Sequence, residues 1–578
     1  MKHKLLLVAI TVFLWSFSFA QIKYKYKENQ TYTYDEVIEQ YKLLAENSKK
    51  AELYPAGKSD AGKLIYVFVI SYDEDFSPKS LQEKNKGVLL INNAIHPGEP
   101  CGVDASLKLA DDLLHNEKYT DLIKNTVVCI IPFYNVGGGL NRSCCSRVNQ
   151  NGPEEYGFRG NSKNRDLNRD FIKCDTKNMQ AFAQIYHNLR PDIFIDTHTT
   201  DGADFQYSMS LIASQPDKMN RLLRNYVRIK MLPYLYEDMK KKKKDIIPYV
   251  DCYKETPDNG IMDYLDTPRY STGYATLFNA IGLITEALKY KPYEERVEYT
   301  YEFLMSTLKW MNENHDELKE VRKNAANAII NQTEFELGWQ LDTTSFTQIE
   351  FKGYEAEYKE SAFGENEKLL TYNHKKPYTK NIDYYMRYSP TYVVTKPDAY
   401  IIPQAYTDVI DRLKWNKIDM RKLRNDTIIE VEMYYIKKYK TVEIPYEGHY
   451  FHYAIYLDKK VMPVKFYRDD YIVFTNQPSN RYIVETLEPQ GMDSFFAWNF
   501  FDGILQQKEW FSPFSFEETA KEVLASDRGL KEKFEKKKQE DEVFAKSRDQ
   551  QLYFIYVNSP YYENTHNRYP VARLFNNK

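Results

Sequence analysis

The 578-residue chain has almost no net charge: 79 Lys and Arg against 82 Asp and Glu leave a formal −3. That balance gives no electrostatic case for binding nucleic acid or an anionic membrane surface. Cysteine is scarce as well. The six residues, Cys101, Cys129, Cys144, Cys145, Cys174 and Cys252, all fall in the first half, and none shows C-x-x-C spacing. A cysteine-built metal site is therefore not supported, although disulfides remain open for an exported chain. After residue 20 no apolar run is long enough for a membrane span, and there is no convincing internal repeat.

What the chain does have is a short apolar start. "MKHKLLLVAITVFLWSFSFA" combines basic Lys2 and Lys4, an apolar run from Leu5 to Trp15, and small Ser18 and Ala20. This reads as a secretory signal peptide over residues 1–20, cleaved after Ala20, and implies export to the periplasm or the exterior. The length exceeds what one hydrophobic core usually supports, so more than one domain is expected.

From residue 21 the text alternates between helix and strand. "TYDEVIEQYKLLAENSKKAELY" places Val37, Tyr41, Leu44 and Ala45 on one helical face. "GKLIYVFVIS", "KGVLLINNAI", "NTVVCIIPFYN", "PDIFIDTHT" and "AIGLITEAL" are short β-rich runs with little polar alternation. Runs of that kind belong to strands covered on both faces, and amphipathic segments such as "VDASLKLADDLL" supply the helices. The fold class is thus α/β, a mixed and mostly parallel sheet flanked by helices. Near residue 335 the pattern changes, and from Thr344 it becomes alternating and rich in Tyr, of which the chain has 50. We expect a catalytic domain over 21–335 and a β-rich accessory region over 340–578 with a helical C-terminal part. "DRGLKEKFEKKKQEDEVFAKSRDQQ" reads as one solvated helix.

Chemistry concentrates at strand ends. His96 and Glu99 sit in a Pro-Gly turn after one buried run, and His198 ends another. His-x-x-Glu is short enough to arise by chance, but ligands of open α/β sheets gather outside the carboxyl ends of strands. Two His and one Glu delivered there match a zinc set that leaves one position open. Glu286, in "GLITEALKYKP", is an acidic residue in a run that should be buried, and so suits a general base. "YGFRGNSKNRDLNRDF" gathers Arg159, Arg165, Asn168 and Arg169 in an aperiodic stretch, with guanidinium groups suited to a carboxylate.

In this order the elements resemble the zinc metallocarboxypeptidases of the carboxypeptidase A type, the M14 peptidases, from about Tyr32 to Leu308. The resemblance implies a carboxypeptidase-like sheet and one zinc ion per chain, held by His96, Glu99 and His198. It implies that Glu286 activates water and that Arg159 polarises the scissile carbonyl. Asn168 and Arg169 would hold the terminal carboxylate of a peptide substrate, and Asp166 would orient His96. The implied partner is a peptide with a free C-terminus, and the implied reaction is release of its last residue.

Two departures stand out. Asn135-Val136-Gly137-Gly138 replaces the family's Asn-Pro-Asp-Gly, and the family's mobile tyrosine falls on either Tyr264 or Tyr270. Asp263 or Asp266 at the pocket base would favour a terminal Lys or Arg. His449 and His452, read as one alternating strand, would point to opposite faces and form no second metal site. Other readings are a zinc amidohydrolase that deacylates amino acids, and an inactive protein binding peptide or glycan ends. The presence of both His, Glu99 and the base disfavours the latter.

Overall fold

The computed structural model describes residues 22–575, so the expected leader over 1–20 lies outside the described residues. The central element is an eight-stranded sheet. Its strands are β1 (Ala51–Lys58), β2 (Leu64–Ile70), β3 (Gly87–Asn92), β4 (Thr126–Ile131), β5 (Ile193–Thr200), β6 (Met209–Ala213) and β7 (Ile247–Pro248), completed by a later strand. Two short strands, β8 (Asp251–Cys252) and β9 (Ile261–Met262), intervene before that last one, β10 (Ile281–Leu288). The spatial order is β1-β2-β4-β3-β5-β10-β6-β7. Pairings β3–β4, β3–β5, β5–β10 and β6–β7 are parallel, whereas β1–β2, β2–β4 and β6–β10 are antiparallel. The mixed, mostly parallel sheet expected from the strand text is the one observed.

Residues of β3, β4 and β5 are buried throughout, which explains why their sequences show no alternation. Helices Tyr34–Asn47, Cys101–His115 and Tyr293–Asn331 pack on one another beside the sheet. Gly102, in the first turn of the second of these, allows the helix to lie against β5, because a Cβ there would run into Thr197. That close approach sets the turn carrying His96 and Glu99 directly beside the end of β5.

Beyond Asn331 the chain is β-rich. The hairpin Thr347–Glu360 with Lys368–Tyr385 extends a sheet begun by β8 and β9, through parallel pairing of Tyr384 with Ile261. A six-stranded sheet follows, and the final strand Ala572–Leu574 inserts between Ala399–Ile402 and Thr427–Thr441. The single solvated helix expected near the C-terminus is instead a set of short helices. Arg528–Glu540, Glu542–Lys546 and Arg548–Val557 fold with Pro513–Ser526 around Phe516, Leu530, Phe534, Phe544 and Leu552. Asp527, Asp541 and Ser547 cap the three later helices, and their apolar residues are spaced to meet in a small separate core. Among the described residues no helix is long and apolar enough to cross a membrane. Among the described residues one disulfide is present, between adjacent Cys144 and Cys145.

Candidate active site

The carboxyl ends of β3, β5 and β10 open on one cup of about 200 Å³. His96, Glu99, Arg159, Asn168, Arg169, His198 and Glu286 all line it, with Asp166 directly behind. His96 and Glu99 occupy the turn between β3 and the helix Cys101–His115; the Glu99 amide closes that turn on the His96 carbonyl at 2.8 Å. His198 is on β5, and Glu286 is its register partner on the neighbouring β10.

Both imidazoles are anchored by a carboxylate. His96 Nε2 donates to Asp166 Oδ1 at 2.9 Å, and His198 Nε2 donates to Asp196 Oδ2 at 3.0 Å. A carboxylate only accepts, so the proton of each neutral ring belongs on Nε2 and each Nδ1 keeps its lone pair. The two Nδ1 atoms then face the same carboxylate. His96 Nδ1 lies 3.3 Å from Glu99 Oε1, and His198 Nδ1 lies 3.2 Å from Glu99 Oε2. One ligand atom from each of the three residues falls within 4.8 Å of the others, and His96 Nδ1 is buried with no hydrogen-bond partner. An orphaned buried nitrogen is costly, and the oxygen and imidazole donors here are the types zinc takes. The residues fit the metal.

Electrostatics bind the site together. Burial opposes charge on Glu99, but Arg147 and His96 outweigh it and hold the carboxyl well below its usual range. Asp166 behaves alike: burial is overcome by His96, Arg159 and Arg169. Its Oδ1 also accepts from the Asn168 amide at 2.9 Å, and its Oδ2 from Arg159 Nε at 2.9 Å. His198 is pushed the other way. Burial disfavours its charge, yet Asp196 and Glu99 raise its pKa well above the ordinary value in the metal-free protein. Glu286 is raised to about 8 by burial, with Glu99 adding to the effect and His198 opposing it.

Two residues of this shell had not been foreseen. Asp196 precedes His198 by two positions in β5, and strand alternation puts both on one face, so the D-x-H spacing carried the signal. Arg147 comes from the Cys-containing loop and gives Nη1 to Glu99 Oε1 at 2.6 Å and Nη2 to the Thr199 carbonyl at 2.9 Å. No local pattern marked it. Tyr264 and Tyr270 both line the cup, their rings 5.4 Å apart.

The acidic pocket base is not found. Asp266 is fully buried and paired with Lys218 at 3.5 Å, and neither it nor Asp263 lines the cup. Ile212, Ile284 and Tyr249 do. His449 and His452 do not share a strand either. His449 closes a hairpin turn while His452 opens the strand His452–Phe466, and each has its own partners, Asp175 and Asn499 for the first, Thr441 and Asp502 for the second.

Residues 38–407 match the sequence profile of the peptidase M14 family, described as zinc carboxypeptidase. The chain belongs to that family. As a zinc metallocarboxypeptidase it is a hydrolase acting on peptide bonds. The match extends past residue 335 into the β-rich region. Among solved structures the chain is similar to a metallo-carboxypeptidase from Burkholderia cenocepacia, at 15% identity over 49% of this chain and 70% of that one, with a TM-score of 0.36. It is also similar to a metallo-carboxypeptidase from Pseudomonas aeruginosa, at 13% identity over 50% and 70%, TM-score 0.37. A third is carboxypeptidase A from Helicoverpa armigera, at 16% identity over 53% and 75%, TM-score 0.35. No curated protein matches the chain.

Proposed function

We propose that the protein is exported, that residues 21–335 form its catalytic domain with 340–578 as an accessory region, and that it removes single residues from the C-termini of peptides. One zinc per chain would be held by His96, Glu99 and His198. The observation that carries this reading is the pair of imidazoles, each tied by Nε2 to a buried Asp and each turning Nδ1 toward Glu99. Bound there, zinc would supply a Lewis acid that polarises a carbonyl and makes water more acidic.

The protein side chains do the rest. Glu286 faces the cup from the strand beside His198 and takes the proton of the attacking water; its raised pKa suits it to pass that proton on to the departing amine. Arg159, steadied by Asp166 and Glu99, offers its guanidinium to the oxygen on which negative charge develops. Asn168 and Arg169 receive the terminal carboxylate, and a cation there rewards a chain end over an internal peptide bond. With Ile212, Ile284 and Tyr249 on the wall, and rim Asp201 paired with Lys289 at 3.3 Å, the released residue is expected to be apolar.

The test is metal content of the purified chain from Gln21, together with digestion of a mixed peptide library with and without a chelator, read by mass spectrometry. One zinc per chain and chelator-sensitive loss of single C-terminal residues are expected. Zinc without any shortening would overturn the carboxypeptidase reading in favour of deacylation or binding.

A further inference from the structure

The β-rich region reaches into the site through one tight turn. Tyr446 and His449 exchange backbone hydrogen bonds of 2.8 and 3.0 Å around Glu447 and Gly448, whose φ values are +50° and +79°. Two consecutive positive φ values make a two-residue hairpin of the type whose twist suits a β-ribbon, and Gly at the second position meets its demand. All four residues of this tip touch the motif loop and its flank. Tyr446 hydroxyl accepts from Arg169 Nε at 3.0 Å, and Glu447 Oε2 accepts from the Asp166 amide at 2.9 Å. The Arg165 guanidinium lies so close over Gly448 that a Cβ there would collide with it, and His449 Nε2 bonds Asp175 Oδ2 at 2.7 Å.

The contact at Arg169 is the informative one. Its guanidinium stacks on Tyr270 with Cζ 4.5 Å from the ring centroid, Nη1 donates to the Asn168 carbonyl at 2.9 Å, and Nε is held by Tyr446. These three contacts fix the plane and rotation of the group, and among the described residues Nη2 has no hydrogen-bond partner. Tyr446 itself is rigid, because its ring stacks on Trp498 at 6.0 Å and 16°, and Arg269 packs against both rings while bound to Asp493.

We propose that Tyr446 is a positioning residue for substrate binding: its hydroxyl holds Arg169 so that the Nη edge is presented to the terminal carboxylate, making the accessory region part of the recognition machinery. This rests on the assignment of Arg169 as the carboxylate clamp. Without the Tyr446 bond the guanidinium can rotate toward Asp166, whose Oδ2 already lies 3.8 Å from Arg169 Nη1.

The experiment compares wild type, Tyr446→Phe, Arg169→Gln and the double variant of the full zinc-loaded chain on the blocked dipeptide benzoyl-Gly-Phe, with zinc content measured alongside. Phenylalanine keeps the stacked ring and removes only the hydroxyl. Y446F is expected to raise KM about ten-fold with kcat and zinc content unchanged, the scale of losing a hydrogen bond to a charged group. R169Q should raise KM further, and adding Y446F to it should change nothing, because Tyr446 acts through Arg169. A wild-type KM for Y446F while R169Q is impaired would overturn the proposal alone, as would equal Y446F effects in both backgrounds, which mark a merely structural role. A wild-type KM for R169Q would overturn the clamp assignment and this proposal with it. Should Y446F fail to accumulate, Gly448→Ala strains the same tip, because an L side chain disfavours its φ of +79°, and must reproduce the KM effect.

Discussion

Asp196 offers the sharpest test of how the proposed zinc ligands are held. It is fully buried, and its two oxygens are committed: Oδ2 to His198 Nε2 at 3.0 Å and Oδ1 to Asn92 Nδ2 at 3.0 Å. Asp196→Asn replaces one acceptor by a donor, and there are two ways to place it. With the new NH2 toward His198, the imidazole proton must move to Nδ1, the nitrogen needed for zinc. With it toward Asn92, the Asn92 amide need only turn over, and its Oδ1, buried and without a partner, then accepts. The second arrangement keeps the His198 proton on Nε2, so it wins; the losses are the negative charge behind His198 and the partner of the Asn92 NH2, which turns to where its unpartnered oxygen lay. Removing the partner of a ligating His typically costs 10–100-fold in metal affinity. D196N should fall at the low end, about ten-fold or 1.4 kcal/mol. Asp196→Ala leaves both donors unpaired in the core, so it should approach 100-fold and also lose about 1–3 kcal/mol of stability for each stranded donor. Zinc affinity is measured by competition with a chromophoric chelator, and stability by melting the metal-free chain. Wild-type affinity in D196N would refute the idea that this charge supports His198. A loss far beyond 100-fold would refute the Asn92 turnover instead.

Three further outcomes follow from the same geometry. Glu286→Gln should keep the zinc but lower kcat by about 10²–10⁴-fold in steady-state assays, and an unimpaired variant would contradict its role as base. His198 is protonated near neutrality in the metal-free chain because Asp196 and Glu99 outweigh burial, and zinc takes only the neutral ring. Affinity should therefore rise by at least about ten-fold per pH unit between about pH 6 and 7, with at least the His198 proton released, seen by calorimetry in buffers of different ionisation enthalpy. Asp104 is buried with Thr31 and Tyr293 hydroxyls donating to Oδ2 at 2.6 Å, and burial pushes its pKa up to about 7. Between about pH 4 and 7 the folded chain keeps a proton that the unfolded chain has lost. Stability should decline by up to about 4 kcal/mol as pH rises through that window, and Asp104→Asn should flatten the decline in urea titrations at several pH values.

How far the sequence can be read depends on the range over which each feature is encoded. His96 and Glu99 share a four-residue turn, and His198 and Glu286 end runs whose burial is visible from composition, so all four were legible locally. Asp196 carried an alternation signal beside His198. Arg147 acts on Glu99 across 48 positions, and Tyr446 on Arg169 across 277. Neither contact leaves a periodic trace, because chain reversals and strand register bring the groups together, not local propensity. The same holds for Ala572–Leu574, three residues too few to announce a strand yet paired on both edges. The helices that cover 527–551 misled differently. Their charge density suggested one solvated rod, while a few phenylalanines and leucines were enough to fold them on each other.

The charges around the cup also explain why a chain end, and not merely a peptide, should complete it. Glu99, Asp166, Asp196 and Glu286 place four carboxyl groups in or directly behind the cup, against the guanidinium groups of Arg147, Arg159 and Arg169. The rim pair Asp201 and Lys289 cancels itself. With zinc bound, both imidazoles neutral and Glu286 ionised as a base must be, the four carboxylates, three guanidinium groups and the dication would leave one positive charge. A buried excess of either sign is expensive, since low dielectric amplifies it. The terminal carboxylate of a peptide would be the single negative charge that restores neutrality, and on the proposed reading it would arrive beside Arg169, the guanidinium of the three that has no full carboxylate partner of its own. A C-terminal amide brings no such charge, so amidated peptides should bind worse than free ones by more than the loss of one hydrogen bond.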